Sequence, residues 1–107
     1  MASEMICVVT TLEKRTDAEK LAARLVEQKL AACVQISSCA SVYSWKGQIV
    51  QEEEFKLTVK TARELYDRVE SCIVSEHPYE IPELIAFTVD FCSSNYKNWL
   101  MNELRLS

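Results

Sequence analysis

The period of apolar and polar residues changes along the chain and divides it into short segments. An apolar, β-branched run at residues 5–9 predicts a strand that is buried on both faces. Apolar residues then recur at three- and four-residue steps, which predicts an amphipathic helix that begins near Asp17 and ends near Lys29. Thr16 and Glu19 have the spacing of a capping box, so we expect them to cap the start of this helix.

Two long apolar and β-branched stretches flank Gly47, the chain's only glycine. They predict two strands, over residues 31–46 and 49–59, joined by a hairpin. Fully extended, residues 32–46 would span about 50 Å, whereas the first helix covers only about 20 Å. We therefore expect an apolar hairpin tip that overruns the helices, which favours a homo-oligomer.

The second half repeats the pattern of the first. Thr61 and Glu64 form a second capping-box sequence before another helical apolar face, which His77-Pro78 ends because proline disfavours the α conformation in the residue before it. Residues 84–91 predict a fourth strand, and Ser94 can cap a last helix. The resulting order of strand, helix, strand, strand, helix, strand and helix predicts an α+β, ferredoxin-like fold with a C-terminal helix.

The topology and the absence of a linker lead to two further expectations. The sheet order is four, one, three, two with all neighbours antiparallel, so the end of the first strand lies beside the start of the fourth. No linker or low-complexity segment interrupts residues 1–107, which we therefore expect to form a single domain.

Composition and charge narrow the classes of partner. The 107 residues include 12 basic and 16 acidic side chains, a net charge of −4, with no basic cluster of the kind that binds nucleic acid or anionic lipid. No apolar stretch approaches the roughly 20 residues of a membrane span, and residues 1–5 lack the pattern of a secretory leader. The single glycine excludes the two glycine-rich phosphate loops, so we expect no organic cofactor.

The cysteines point to a reducing compartment. There are five of them, an odd number, at irregular spacings and without a C-x-x-C pair. We expect free, mostly buried thiols and a cytoplasmic location.

Four segments in the expected order carry a resemblance to a known family, and Tyr96 and Trp99 in the last predicted helix match it as well. They are KLAAC at 29–33, SVYSWKG at 41–47, VKT at 59–61 and HPYEIPE at 77–83. Together they resemble the CutA divalent-cation tolerance family over nearly the whole chain. The resemblance implies a ferredoxin-like fold assembled as a tight homotrimer, similar in build to PII signalling proteins, in which long hairpins pair between subunits.

The resemblance also implies a function in tolerance to copper and other divalent metal ions, without a settled catalytic reaction. We therefore expect a non-enzymatic metal-tolerance protein that binds copper or another divalent cation. The alternative is a PII-like signalling or protein-interaction module that binds a small ligand in a cleft between subunits.

The metal ligands that the resemblance implies are a cysteine and two histidines, whose positions here hold Thr10, Glu76 and His77. Threonine is a poor copper ligand and a carboxylate is harder than imidazole, so we expect weak binding at these three residues. Cys33 is a less favoured ligand, because the topology places it at the opposite end of the sheet from His77. A buried packing role suits this small thiol better.

A second group of side chains could line a cleft between subunits. Trp45, Lys60, Tyr79, Glu80 and Glu83 lie in the segments that match the family and offer a cation, two carboxylates, a phenol and an indole. Two interpretations stay open. These residues form a pocket for a small ligand or ion, or Lys60 pairs with a carboxylate of a neighbouring chain while Tyr79 and Trp45 fill the interface.

Two other features of the sequence do not predict a site. Glu52, Glu53 and Glu54 alternate faces on a strand, so they cannot all bind one ion, and we expect a solvated edge. The single histidine has no serine or cysteine placed beside it by a recognisable catalytic motif.

Overall fold

Four antiparallel strands form the sheet in the computed structural model, which describes residues 3–106. Met1, Ala2 and Ser107, which the single-domain prediction included, lie outside the described residues. The sheet order is β2-β3-β1-β4, which confirms the predicted order. The strands are β1 Met5–Leu12, β2 Cys33–Trp45, β3 Gln48–Ala62 and β4 Ile85–Thr88.

The helices complete the predicted ferredoxin-like order. They are α1 Arg15–Glu27, α2 Tyr66–Glu76, which a 3₁₀ turn at Arg63–Leu65 precedes, and α3 Ser94–Glu103. The α+β fold class is thereby confirmed, including the C-terminal helix. The longest helix has 13 residues, and no helix within residues 3–106 has the length and apolar character that crossing a bilayer requires.

The core lies between the sheet and helices α1 and α2. Val8 of β1 and the β3 residues Leu57 and Val59 are completely buried, together with Leu25 of α1 and Ile73 of α2. These positions follow the periods of two and about 3.6 residues from which the elements were predicted. Burial of these side chains is what holds the helices on the sheet.

A tight turn allows β2 and β3 to form one long hairpin. Lys46 and Gly47 both have positive φ angles, 50° and 78°, and lie between the paired residues Trp45 and Gln48. Positive φ at both central residues is the geometry of a type I′ turn, whose twist matches that of the flanking strands. A side chain at position 47 would be strained in this conformation, which explains why the turn contains the chain's only glycine.

The tip of this hairpin projects beyond the rest of the sheet, as predicted. The ladder between β1 and β3 stops at Leu12 and Phe55, whereas β2 and β3 remain paired to the turn. We call residues 39–54 the hairpin ribbon. The molecule is 46 Å along its longest axis and 26 and 22 Å along the others.

Both predicted capping boxes are wrong. Helix α1 begins at Arg15, and its N-cap is Lys14, whose carbonyl accepts the first helical hydrogen bond from Ala18 N–H at 3.1 Å. Thr16 therefore lies inside the first turn. In the second case, Thr61 belongs to β3, and its hydroxyl donates to the carbonyl of Leu30 at 2.6 Å. Pairing in the sheet takes precedence over local capping there.

The other boundaries differ by less. The fourth strand covers four residues instead of the predicted eight, because β4 pairs with β1 only from Ile85 to Thr88. The cap of α3 is Ser93 rather than Ser94, and its hydroxyl accepts from Tyr96 N–H at 3.3 Å. Helix α2 ends at Glu76, and His77 adopts an extended conformation before the proline, as predicted.

The cysteines are free, but the expectation that most of them are buried is wrong for this chain. Four are half-buried and one is exposed among residues 3–106. Four of them lie on strands or on α2, and one lies in the loop before α3, at positions that the single chain covers only in part. These small apolar thiols therefore remain accessible here. The half-buried ones are Cys7, Cys33, Cys39 and Cys72, and the exposed one is Cys92.

Candidate functional site

His77 ties the loop after α2 to the end of β1. Its side chain is buried, and its Nε2 lies 2.7 Å from the carbonyl oxygen of Thr11. The backbone N–H of Tyr79 donates to its Nδ1 at 3.2 Å. Because Nδ1 accepts this hydrogen bond, Nε2 must carry the ring hydrogen and donate a hydrogen bond to the carbonyl of Thr11. Both ring nitrogens are therefore bound to backbone groups.

The same arrangement favours a neutral imidazole. Burial lowers the pKa of His77 below its ordinary value, and the hydrogen bond to Thr11 and the charges of Glu54 and Asp17 oppose this shift only in part. A proton on Nδ1 would displace the hydrogen bond from Tyr79 N–H. The histidine therefore acts as a neutral clamp between β1 and the loop.

Tyr79 extends this clamp to β3. Its ring packs edge-on against His77, with centroids 4.6 Å apart, and its hydroxyl donates to Glu54 Oε2 at 2.7 Å. Glu54 is only 4% exposed, so the carboxylate that was expected on a solvated edge is buried. Burial and the bond to Glu54 raise the pKa of the Tyr79 phenol, which keeps it a neutral donor.

The three predicted metal ligands do not converge in the described conformation. The Thr10 side chain is 0% exposed, and its hydroxyl has no hydrogen-bond partner within residues 3–106. Glu76 forms a 2.5 Å ion pair with Arg24 of α1. His77 reaches the end of β1, but through the carbonyl of Thr11. Residues 3–106 contain no group of three or more His, Cys, Asp or Glu arranged to hold a metal ion.

Cys33 lies in a different part of the sheet. It pairs with Lys60 of β3, which in turn pairs with Cys7 of β1, so these three residues form one row across the sheet. His77 contacts Thr11, four residues further along β1, or about 13 Å away. Lys60 Nζ lies 5.5 Å from the centroid of the Tyr96 ring, and the ion pairs formed within residues 3–106 do not include it.

A cavity of about 310 Å³ opens between the hairpin ribbon and the loop after α2. Three residues of the predicted cleft group line it, while Lys60 and Glu83 do not. The residues that sequence analysis missed could have been found in part from strand alternation, which puts Glu52 and Glu54 on one face of β3. The lining consists of Tyr43, Trp45, Glu52, Tyr79, Glu80 and Ile81.

The hairpin ribbon and strand β4, at the opposite edge of the sheet from β2, expose large apolar side chains. Val42 and Ile49 of the ribbon are 66% and 72% exposed, and Phe87 of β4 is 58% exposed. Single exposed apolar residues are ordinary, but a group of them on a projecting ribbon marks an interaction surface.

Comparison with known proteins assigns the chain to a family. The family model described as "CutA1 divalent ion tolerance protein" matches residues 6–103. A probable divalent-cation tolerance protein of Encephalitozoon cuniculi is 39% identical over 93 residues, which cover 87% of this chain and 82% of that protein.

Solved structures agree with the family model. CutA from Synechococcus elongatus superposes with a TM-score of 0.92 at 35% identity, covering 96% of this chain and 92% of that one. The periplasmic divalent cation tolerance protein CutA from Archaeoglobus fulgidus gives 0.91 at 30% identity, covering 94% and 98%. This chain therefore belongs to the CutA1 family of divalent ion tolerance proteins.

Proposed function

We propose that this chain is a non-enzymatic divalent-ion tolerance protein that works as a homotrimer of single-domain subunits. The match to the CutA1 family over residues 6–103 carries the proposal. The non-enzymatic part rests on the description of the family as tolerance proteins, and His77 adds one supporting observation. As the chain's only histidine, with both ring nitrogens bound to backbone groups, it has no free nitrogen to act as a general base.

The exposed apolar residues support the assembly. A lone subunit would leave Val42, Ile49 and Phe87 in water, and a closed oligomer buries such surface and protects the free edges of the sheet. Lys60 suits the same picture: it lies over the Tyr96 ring and forms no ion pair with another described residue, and a carboxylate of a neighbouring subunit would pair with its charge.

For the ion, we propose weak binding of copper or another divalent cation at His77, Glu76 and Thr10. Glu76 directly precedes His77, and Thr10 directly precedes Thr11, whose carbonyl His77 contacts. The residues present fit a tight site poorly. An ion at His77 has to replace one of two hydrogen bonds, and Glu76 has to leave Arg24. Thr10 offers a hydroxyl, which is a weak ligand for copper.

The direct test is native mass spectrometry of the reduced protein with and without excess copper. We expect a trimer whose copper is lost on dilution. In the Thr10→Cys/Glu76→His variant we expect copper to be retained, because a thiolate and a second imidazole are softer ligands. The matched control is Thr10→Cys/Glu83→His, which adds the same side chains but puts the histidine further along the loop.

Two results would overturn these proposals separately. A monomeric mass at working concentrations would overturn the trimer. Equal copper retention by the Thr10→Cys/Glu76→His variant and its control would show that the end of β1 and the residues around His77 do not form one site.

A second candidate function is a PII-like module that signals or binds a protein partner in response to a small ligand. The cavity that contains Trp45, Tyr79 and Glu80 favours it, because three residues predicted for the cleft line one space. A ligand that stabilises the trimer while divalent ions do not would favour this function over the first.

For the compartment, we propose the cytoplasm. All five thiols are free, which suits a reducing environment. Fractionation of cells that express the tagged protein tests this location, and recovery of the protein from an oxidising compartment would overturn it.

A further inference from the structure

The cavity beside the hairpin ribbon has a lining that suits one chemical class of ligand. Its volume of about 310 Å³ is at the lower end of the range for sites that bind small molecules. The ribbon contributes three residues to its lining and the loop after α2 contributes three more, which are Tyr43, Trp45 and Glu52, and Tyr79, Glu80 and Ile81. Aromatic rings and carboxylates therefore face a common space.

The charge of this lining is negative. Glu52 and Glu80 line the cavity, and Glu54 lies behind Tyr79, bound to its hydroxyl. Neither Lys nor Arg is among the lining residues. The hydroxyl of Tyr43 donates to Glu52. This bond raises the pKa of Tyr43 to about 12, so the phenol stays neutral and leaves the carboxylate charge in place.

The aromatic part of the lining attracts cations as well. The faces of Trp and Tyr rings carry negative potential, and ammonium groups bind over them. The chain shows this behaviour next to the cavity, where Lys46 Nζ lies 5.7 Å from the centroid of the Trp45 ring. Tyr43 and Tyr79 supply two more rings.

We propose that this cavity binds a small organic ammonium ion, with its charge beside Glu52 and Glu80 and its alkyl part against Trp45 and Ile81. Calcium and magnesium fit less well, because each needs six or more oxygen ligands. The phenols of Tyr43 and Tyr79 already bind the carboxylates of Glu52 and Glu54. The consequence of binding rests on the second candidate function, the PII-like module, whereas binding itself does not depend on it.

The probe is n-butylammonium, and 1-butanol is its neutral match in size. Trp45 reports binding by fluorescence in a Trp99→Phe background, because the chain has only two tryptophans. We expect a saturable change with n-butylammonium and none with 1-butanol or with sodium chloride at equal ionic strength. Native mass measured on the same samples separates a failure of ligand binding from a failure of assembly.

Substitutions then locate the site. Glu80→Gln should weaken n-butylammonium binding by about fivefold, the upper end expected when a partly exposed charge loses its partner. Glu83→Gln is the matched control, since Glu83 is an exposed glutamate of the same loop that does not line the cavity. Both positions are at the surface, so neither change should prevent folding.

Three outcomes would overturn the proposal. Equal responses to n-butylammonium and 1-butanol would show an apolar site without charge recognition. Equal weakening by Glu80→Gln and Glu83→Gln would show a general effect of net charge. Absence of binding, together with a smaller trimer fraction in Glu80→Gln, would show that a neighbouring subunit occupies the cavity instead.

Discussion

Strands β2 and β3 form the hairpin ribbon and continue into the rest of the sheet, which we call the base. The two regions have opposite surroundings. At the base, Leu57 and Val59 lie under α1 and α2 and are completely buried. In the ribbon, Val42 and Ile49 belong to the same strands and are mostly exposed. The difference shows that strand sequence alone does not distinguish a buried apolar surface from an exposed one. The reach of the helices decides which apolar residues the subunit itself can bury.

The largest expected effect on the free energy of unfolding comes from a cavity in the base. Leu57→Ala removes a fully buried side chain and should lower the free energy of unfolding by about 4 kcal/mol. Val42→Ala in the ribbon is the comparison, and its effect should depend on assembly. Urea unfolding at several protein concentrations measures both, because assembly adds a concentration-dependent contribution to stability. Equal, concentration-independent losses in the two variants would contradict the division into base and ribbon.

Substitutions that introduce a charge into the ribbon should weaken assembly and leave the fold of the subunit intact. Ile49→Asp and Trp45→Asp each place a carboxylate where we propose that subunits meet, at a cost of at least about 2 kcal/mol per buried charge. Sedimentation should show smaller species, while circular dichroism stays unchanged. The control is Val74→Asp, at an exposed position of α2 on the helical side. Unchanged mass and unchanged melting in the ribbon variants would contradict their place in the interface.

The clamp that joins the ribbon to the base should make stability depend on pH. Since the folded pKa of His77 lies below its ordinary value of 6.5, the unfolded chain binds more protons between those two values. Stability should therefore fall as the pH decreases through about 6.5, and it should be retained above that value. In His77→Gln, which keeps a donor for Thr11 but does not titrate, the decrease should be smaller. Identical pH profiles of unfolding for the two proteins would contradict this role.

The smallest effect concerns two buried threonines at the base. Thr10 and Thr61 are both completely buried, but among residues 3–106 only the Thr61 hydroxyl finds a hydrogen-bond partner. Thr10→Val should stabilise the protein by about 1 kcal/mol, whereas Thr61→Val should destabilise it by a similar amount. Thermal melting of the two variants compares them directly. A loss of stability in Thr10→Val would show that its hydroxyl has an energetic role in the assembled protein.

The sequence predicted most of the fold because burial dictates the spacing of apolar residues. The order of elements and the sheet order followed from these periods, and the single glycine located the hairpin turn. The capping boxes failed because local signals compete with long-range pairing. Thr61 bonds to Leu30 across 31 residues, and no local pattern records that partner.

The candidate site was predictable only in part. The loop residues His77, Tyr79 and Glu80 could be named from one short segment. Glu54, 25 residues before Tyr79 in the chain, could not be paired with it, because their meeting depends on how far β3 extends past β1. The same overhang brings Trp45 and Glu52 of the ribbon to the loop.

By itself, the sequence determined the elements, their order, the apolar ribbon and the departures from the metal ligands that the family resemblance implies, since all of these depend on residue type and spacing. The tertiary structure alone decided that both nitrogens of His77 are engaged and that Glu54 is buried beneath Tyr79. It also decided which carboxylates share a cavity with aromatic rings. The physical reason is that a hydrogen bond needs its two atoms within about 3 Å, and strand register and loop path, rather than residue type, determine such distances.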